Sequence, residues 1–162
     1  MEVQTRPIVE SDRPALAAVL ASDQTFRPDE IEVAMELIDS SIGKTDDYRI
    51  LVAELHRGTP EDAWVAGYIC YGRTPMTEST YDLYWVVSHA DARGNGIART
   101  LVQSMETLLR EQGATGIRVE TSSEGGYVAA RKLYQRLDYP VAAQFADFYR
   151  KGDDLIVYYK CL

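Results

Sequence analysis

Six consecutive residues, Arg93-Gly94-Asn95-Gly96-Ile97-Ala98, carry the densest chemical signal in the chain. They stand between an apolar run ending at Val87 and a long amphipathic stretch stopped by Gly113. Glycine lets a backbone approach a ligand where a Cβ would clash. The first amides of a helix lack partners, and the helix N-terminus carries partial positive charge. A glycine turn running into a helix can therefore cradle a phosphate, and Arg93 would add a fixed, forked cation. The same turn also suits a plain left-handed connection beside a solvated arginine, and the six residues alone do not choose. Two common cradles can be tested. A P-loop needs Lys and Ser/Thr after its last glycine, and here Ile97 and Ala98 follow. A dinucleotide fingerprint needs a third glycine where Arg99 stands, and no spacer such as "SHADAR" after the strand. Only Glu120, at the end of the next strand, speaks for that second reading.

Other residues could act with the loop. Asp82 and Glu120 are acids inside otherwise apolar strand-like runs, where an unpaired charge is costly. Each is a candidate general base, or else a member of an exposed face or of an ion pair, for example with Arg118. Tyr134 shares a helical stripe with Tyr127, Ala130 and Leu137, so it reads as a core tyrosine or as a proton donor. His56 and His89 fall in or beside loops and read as surface residues. Ser122 and Ser123 have no histidine at a readable spacing, which speaks against a serine nucleophile. Cys70 and Cys161 lie in strand-like runs without metal spacing; they read as reduced core thiols of a cytoplasmic protein, with no metal site.

The elements that must position these residues follow from periodicity. Residues 3–8 form a first strand. A helix starts at "SDRPALAAVLAS", with Ser11 as cap and Pro14 in its first turn. "PDEIEVAMELIDSSIG" places Ile31, Met35, Ile38 and Ile42 on one helical face and ends at Gly43. "YRILVAEL" and "AWVAGYICYG" make a hairpin with a long tip, and "STYDLYWVV" adds a strand. Ile97, Leu101, Met105, Leu108 and Leu109 give the next helix its apolar face. "TGIRVETSS" is a strand, "YVAARKLYQRL" a short helix ending before Pro140, and "AAQFADFYR" and "DLIVYYKCL" a last antiparallel pair. The 162 residues read as one mixed α/β domain, residues 1–162. A net charge of −8 argues against a nucleic-acid partner and is compatible with a cationic one. The first residues do not read as a signal peptide, and no apolar run approaches the roughly 20 residues of a membrane span.

With its flanking strand and the later "AARKLYQRLDY", the loop resembles the Q/R-x-x-G-x-G/A signature of the GNAT superfamily, the acyl-CoA-dependent N-acyltransferases. The element order is similar over nearly the whole chain. The resemblance implies a central, mostly antiparallel twisted sheet of about seven strands with a splayed parallel pair, and about four helices on both faces. It implies acetyl-CoA as cosubstrate, with the amides of Arg93, Gly94, Asn95, Gly96, Ile97 and Ala98 on the pyrophosphate and the backbone of Val86 and Val87 on the pantetheine. Tyr134 matches the tyrosine that protonates the leaving thiolate. Asp82, eleven residues before Arg93, matches the base of histone acetyltransferases, and Glu120 the strand of the base in ribosomal-protein alanine acetyltransferases. Tyr127 stands among the coenzyme contacts where an asparagine is usual, "SSEGG" is longer than the usual junction, and Asp138 replaces a glycine. The implied reaction is acetylation of a primary amine of a small molecule or peptide, by a monomer or homodimer and without membrane or nucleic acid. A non-catalytic acyl-CoA-binding module is the alternative. The acceptor would lie against residues 22–47 and 142–155; the acids Asp29, Glu30, Glu32, Glu36, Asp39, Asp46 and Asp47 there suit a cationic amine, or are a solvated face.

Overall fold

The computed structural model describes residues 1–44 and 47–162. Its strands are β1 (Glu2–Pro7), β2 (Arg49–His56), β3 (Trp64–Arg73), β4 (Thr80–Ser88), β5 (Gly116–Ser122), β6 (Val141–Arg150) and β7 (Asp153–Cys161). Its helices are α1 (Arg13–Ser22), α2 (Pro28–Ile42), α3 (Ile97–Glu111) and α4 (Val128–Arg136). The strands form one sheet in the order β1-β2-β3-β4-β5-β7-β6. Only β4 and β5 run parallel; every other neighbouring pair is antiparallel.

Strand alternation divides the core between two faces. Leu51 and Ala53 of β2 pack with Leu101, Val102, Met105 and Leu109 of α3 and Tyr134 of α4. Ile50 and Val52, their neighbours on the same strand, pack instead with Leu16, Val19 and Leu20 of α1 and Ala34 and Ile38 of α2. Helices thus cover both faces, as the resemblance implies. Among the described residues no helix is long and apolar enough to cross a membrane.

Four local expectations differ. The cap of α1 is Asp12, not Ser11. The Asp12 carboxylate accepts the Val9 N–H at 2.8 Å and both Nη groups of Arg6 at 2.7 and 2.9 Å, so it is spent on joining β1 to the helix. The Arg6 guanidinium accordingly holds the Asp12 carboxyl below its ordinary value. Cys70 is buried as expected, but Cys161 is exposed because β7 ends at the surface there. His56 closes β2, and its Nε2 is buried. β6 is interrupted: between the pairs Phe145–Leu155 and Arg150–Asp153, residues 146–149 lie opposite Asp154 alone. That bulge leaves Phe145, Phe148 and Tyr149 exposed in mutual ring contact.

Burial has a consequence at high pH. Tyr68, Tyr134 and Tyr139 are each pushed above the ordinary phenol value of 10.0, first of all by burial. A raised folded-state value means that the unfolded chain loses these protons first, so their contribution is complete below pH 10 and is lost as pH rises toward the folded values. Urea midpoints should be flat from neutrality to about pH 9 and fall above about pH 10; a midpoint unchanged at pH 11 would overturn this.

Candidate functional site

Parallel pairing between β4 and β5 covers only Thr80–Leu83 against Gly116–Val119. Beyond Leu83 the two strands part. The register of β4 with β3 shifts at the same point, Cys70 facing Trp85 and Tyr71 facing Leu83, so that Tyr84 is the bulged residue. A bulge bends and twists its strand, which turns residues 84–88 away from β5. Their backbone groups on that side have no strand partner in β5, which leaves a gap between the two strand ends. Val86 packs on the α3 face and Val87 on the α1–α2 face, so both valines present backbone, not side chain, along the gap. β3 crosses close beneath: a Cβ on Gly67 would lie 2.5 Å from the Val87 carbonyl oxygen and 2.7 Å from Ile97 Cγ2. Glycine at 67 is what lets β4 and the start of α3 approach β3 together.

The glycine loop stands at the C-terminal end of this gap. A short 3₁₀ turn at Ala90–Ala92 leads into it. Gly94 and Gly96 have φ of 83° and 76°, and a Cβ on either would meet nothing within 4 Å. The glycines therefore serve backbone conformation and leave the loop open above. Gly96 caps α3, and its carbonyl accepts the Thr100 N–H at 2.9 Å. Ile97 is a buried anchor and the first turn carries no acid, so nothing anionic within the helix competes for its free amides. Asn95 turns its amide inward, donating from Nδ2 to the Ala92 carbonyl at 3.0 Å, and so braces the turn. Arg93 is 59% exposed, and its guanidinium lies 3.3 Å from the Asp23 carboxylate.

Asp23 belongs to the α1–α2 connection, which lies across the open end of β4. Ser22 Oγ accepts the Ala90 N–H at 3.0 Å. The Phe26 ring meets Trp85 edge-on, with centroids 5.2 Å apart. The Tyr127 hydroxyl donates to Glu30 at 3.4 Å, so Tyr127, expected among the coenzyme contacts, ties the start of α4 to α2. Burial, then the Glu30 charge, pushes the Tyr127 phenol up to about 12.

The opposite wall is the end of β5. Glu120 is exposed and is the first residue past the parallel rungs. Asp82 is buried, and both its oxygens accept from Arg118, at 2.7 and 3.2 Å. The longer "SSEGG" junction is held by four hydrogen bonds invisible in the pattern. Ser122 Oγ donates to Asp153, Ser122 Oγ accepts the Glu124 N–H at 3.0 Å, and Arg131 donates to the carbonyls of Ser122 and Glu124 at 2.7 and 2.8 Å. Tyr134 is only 4% exposed, with its ring 5.9 and 5.4 Å from those of Tyr139 and Tyr158. Burial, with a smaller contribution from Tyr158, pushes its phenol up, so it keeps its proton throughout the neutral range. His89 Nδ1 accepts the Asp91 N–H at 3.2 Å and the ring abuts Trp64, away from these carboxylates. Among the described residues no group of three or more His, Cys, Asp or Glu could hold a metal ion.

Of the residues marked from the sequence, Val86, Val87 and 93–98 follow one another at the open end of β4. Tyr127 is tied to Glu30 of α2, Glu120 stands past the last parallel rung of β5, Tyr134 is buried among Tyr139 and Tyr158, and Asp82 is held by Arg118. Tyr84, Gly67, Asp23 and Arg131 went unmarked. A glycine inside the apolar strand was the one readable signal, for Gly67.

Comparison with known proteins accords with this geometry. The model of the acetyltransferase (GNAT) family matches residues 16–139. A structure assigned to the GNAT family of acetyltransferases, from Desulfovibrio desulfuricans, aligns with a TM-score of 0.88 at 33% identity, over 99% of both chains. The ribosomal-protein-S18-alanine N-acetyltransferase of Escherichia coli aligns with a TM-score of 0.74 at 14% identity, over 99% of this chain and 94% of that one. An acetyltransferase from Salmonella typhimurium, solved with acetyl-CoA, aligns with a TM-score of 0.74 at 18% identity, over 100% and 95%. The last two share the fold. No curated protein matches the chain in sequence.

Proposed function

Because the chain belongs to the acetyltransferase (GNAT) family, we propose that it transfers an acetyl group from acetyl-CoA to a primary amine of a small molecule or peptide, by direct attack. The observation that carries this reading is the parting of β4 from β5 after Leu83 and Val119, with the parted end of β4 leading through a short turn to the helix start at Gly96. The residues fit the coenzyme. The open space above Gly94 and Gly96 admits a pyrophosphate, the first amides of α3 and Arg93 meet its charge, and the unpaired edge of β4 through Val86 and Val87 matches a pantetheine amide chain.

The thioester supplies an activated acyl carbon; the protein supplies position and proton transfer. A free backbone N–H on the bulged stretch of β4 is suited to hold the carbonyl oxygen as it gains charge. Glu120 takes a proton from the incoming amine, which must be neutral to attack. The C–N bond forms, and the adduct's nitrogen releases its second proton to solvent. The C–S bond breaks with its electron pair going to sulfur, and Tyr134 gives its proton to that sulfur; solvent then reprotonates Tyr134 and takes the proton from Glu120. Asp82, whose oxygens are taken by Arg118, has no part in this scheme as a base. Thiol release from acetyl-CoA across a panel of amines tests the proposal. Tight coenzyme binding with no release on any amine would support an acyl-CoA-binding module instead.

Acidic and aromatic residues stand near the ends of β4 and β5: Phe26 meets Trp85 of β4, Glu30 holds Tyr127, and Glu120 of β5 is close enough for Tyr149 to feel its charge. A cationic amine suits that setting. The long acidic face of α2 contributes less than the sequence suggests, since Asp39 pairs with Arg13 and Glu32 and Glu36 are solvated. Asp46 lies outside the described residues.

Asp23 stands as an internal anion on the arginine assigned to the pyrophosphate. Asp23→Asn should strengthen acetyl-CoA binding about two- to fivefold at low salt, the scale of an exposed ion pair, with the gain shrinking as salt screens it. Equal affinities of variant and wild type by low-salt calorimetry would show that the two anions do not compete for Arg93.

A further inference from the structure

We propose that Asp82 is a positioning residue that holds Arg118 away from Glu120 and so leaves Glu120 able to accept the amine's proton. The proposal rests on the reading of Glu120 as the general base. Asp82 and Arg118 face each other in the short parallel ladder of β4 and β5. The Arg118 fork reaches across that rung, Nε to one carboxylate oxygen at 2.7 Å and Nη2 to the other at 3.2 Å. Asp82's side chain is 9% exposed and Arg118's is 43% exposed, so the acid is fixed and the guanidinium borders solvent.

Glu120 lies two residues beyond Arg118 on the same strand and therefore on the same face, about 7 Å away along the backbone. An arginine side chain spans that distance. Arg118 already feels the Glu120 charge, although its hydrogen bond to Asp82 is the larger influence holding its proton. Among the described residues Glu120 has no ion pair within 4.0 Å. Three other groups bear on this face. Tyr149 of β6 lies in the field of Glu120 and of Asp153, at the start of β7. Tyr84 of β4, whose phenol is pushed up to about 12 by burial and then by Asp82, feels Arg118 from the other side. None of these is a cation. Arg150 of β6 is a cation beside Asp153, but Glu124 at 2.8 Å and Asp153 at 3.5 Å already hold it, whereas Arg118 is the cation coupled to the Glu120 charge. Asp82 satisfies it first, with the better geometry of a bidentate fork on a buried carboxylate.

An ion pair serving only stability would leave the acidic limb of kcat/KM in place whichever partner is lost, the cost falling on stability and most heavily where the buried Asp82 is left unpaired. A device that directs Arg118 makes the two losses unlike. In Asp82→Asn the guanidinium is released toward Glu120, the carboxylate becomes a weaker base, and the acidic limb of kcat/KM should move to lower pH. The plateau should fall about three- to tenfold, a modest part of the usual scale of proton-transfer catalysis. Arg118→Gln should not move the limb to lower pH, because the cation that Asp82→Asn releases is itself gone. The double variant should then follow Arg118→Gln, which is the coupling a double-mutant cycle detects.

The experiment is the pH profile of kcat/KM for wild type, both single variants and the double variant, with melting temperatures recorded beside them. A limb moved by Asp82→Asn and restored in the double variant supports the proposal. A limb unmoved in Asp82→Asn, moved alike in both single variants, or not restored in the double variant overturns it. Disappearance of the limb in Asp82→Asn overturns it too, by making Asp82 itself the base. Glu120→Gln separates the two layers: a limb that survives this change removes the base assignment and the proposal with it. A limb lost in Glu120→Gln but untouched by Asp82→Asn removes only the role of Asp82.

Discussion

Tyr134→Phe is expected to lower kcat by about 10²–10⁴-fold, the scale of proton-transfer catalysis, while leaving acetyl-CoA affinity unchanged. The substitution removes one oxygen and keeps the ring, so the contacts with Tyr139 and Tyr158 survive and the fold is retained. The expected split follows from where the hydroxyl is proposed to act. Its proton is needed only when sulfur departs with the electron pair of the C–S bond, which is a transition-state interaction and leaves ground-state binding alone. Burial in the α3–α4 face holds the phenol protonated across neutral pH, which suits a donor and disqualifies it as a base. The basic limb of the pH profile should therefore not report Tyr134 within the neutral range. A weakly basic amine should lose as much rate as a lysine-like amine, because the missing proton goes to sulfur and not to nitrogen. Near-wild-type kcat in Tyr134→Phe, with melting temperature preserved, would assign the residue to packing alone.

Some of this site can be read directly from the chain because its cause is local. Two glycines with an arginine at a helix start specify a backbone conformation and a charge within six residues, and Gly94 and Gly96 do adopt the left-handed conformation that only glycine takes readily. Element order is also local, since each stripe has its own period. The gap is not local. It depends on where β5 stops pairing with β4, and that is decided by a bulge at Tyr84 whose cause lies in the pairing of β3 with β4. Asp82 shows the same limit. Its strand position and its offset from the loop suit a base, yet its neighbour across the parallel rung takes both carboxylate oxygens. Which residue stands across a rung is a property of register, and register between strands separated by a whole helix is set by the sheet as a unit. Ser11 lost the cap of α1 to Asp12 for a similar reason: Arg6, fixed by β1, and its second partner Glu54 of β2 select the carboxylate.

Gly96→Asp is expected to weaken acetyl-CoA binding by about 10²-fold or more, since facing like charges across a binding contact costs several kcal/mol. Two effects must be separated. At φ 76° any side chain strains the backbone, by about 1 kcal/mol, although aspartate tolerates the left-handed region better than most. Gly96→Ala carries that strain without charge and should cost mainly stability, because its Cβ meets no protein atom within 4 Å and points into the open space above the loop. Any affinity that Gly96→Ala itself loses measures how closely the pyrophosphate approaches the backbone. The further loss in Gly96→Asp measures charge, and it should shrink with added salt, whereas a packing effect would not. The helix amplifies the difference. An anion at residue 96 sits on the positive end of α3, where its own carboxylate would compete for the amides of the first turn that the coenzyme needs. The substituted side chain would then stabilise α3 while closing the cradle, so a melting temperature that holds or rises beside a lost affinity is the signature of this arrangement. Unchanged affinity in Gly96→Asp by calorimetry would move the pyrophosphate away from this loop altogether.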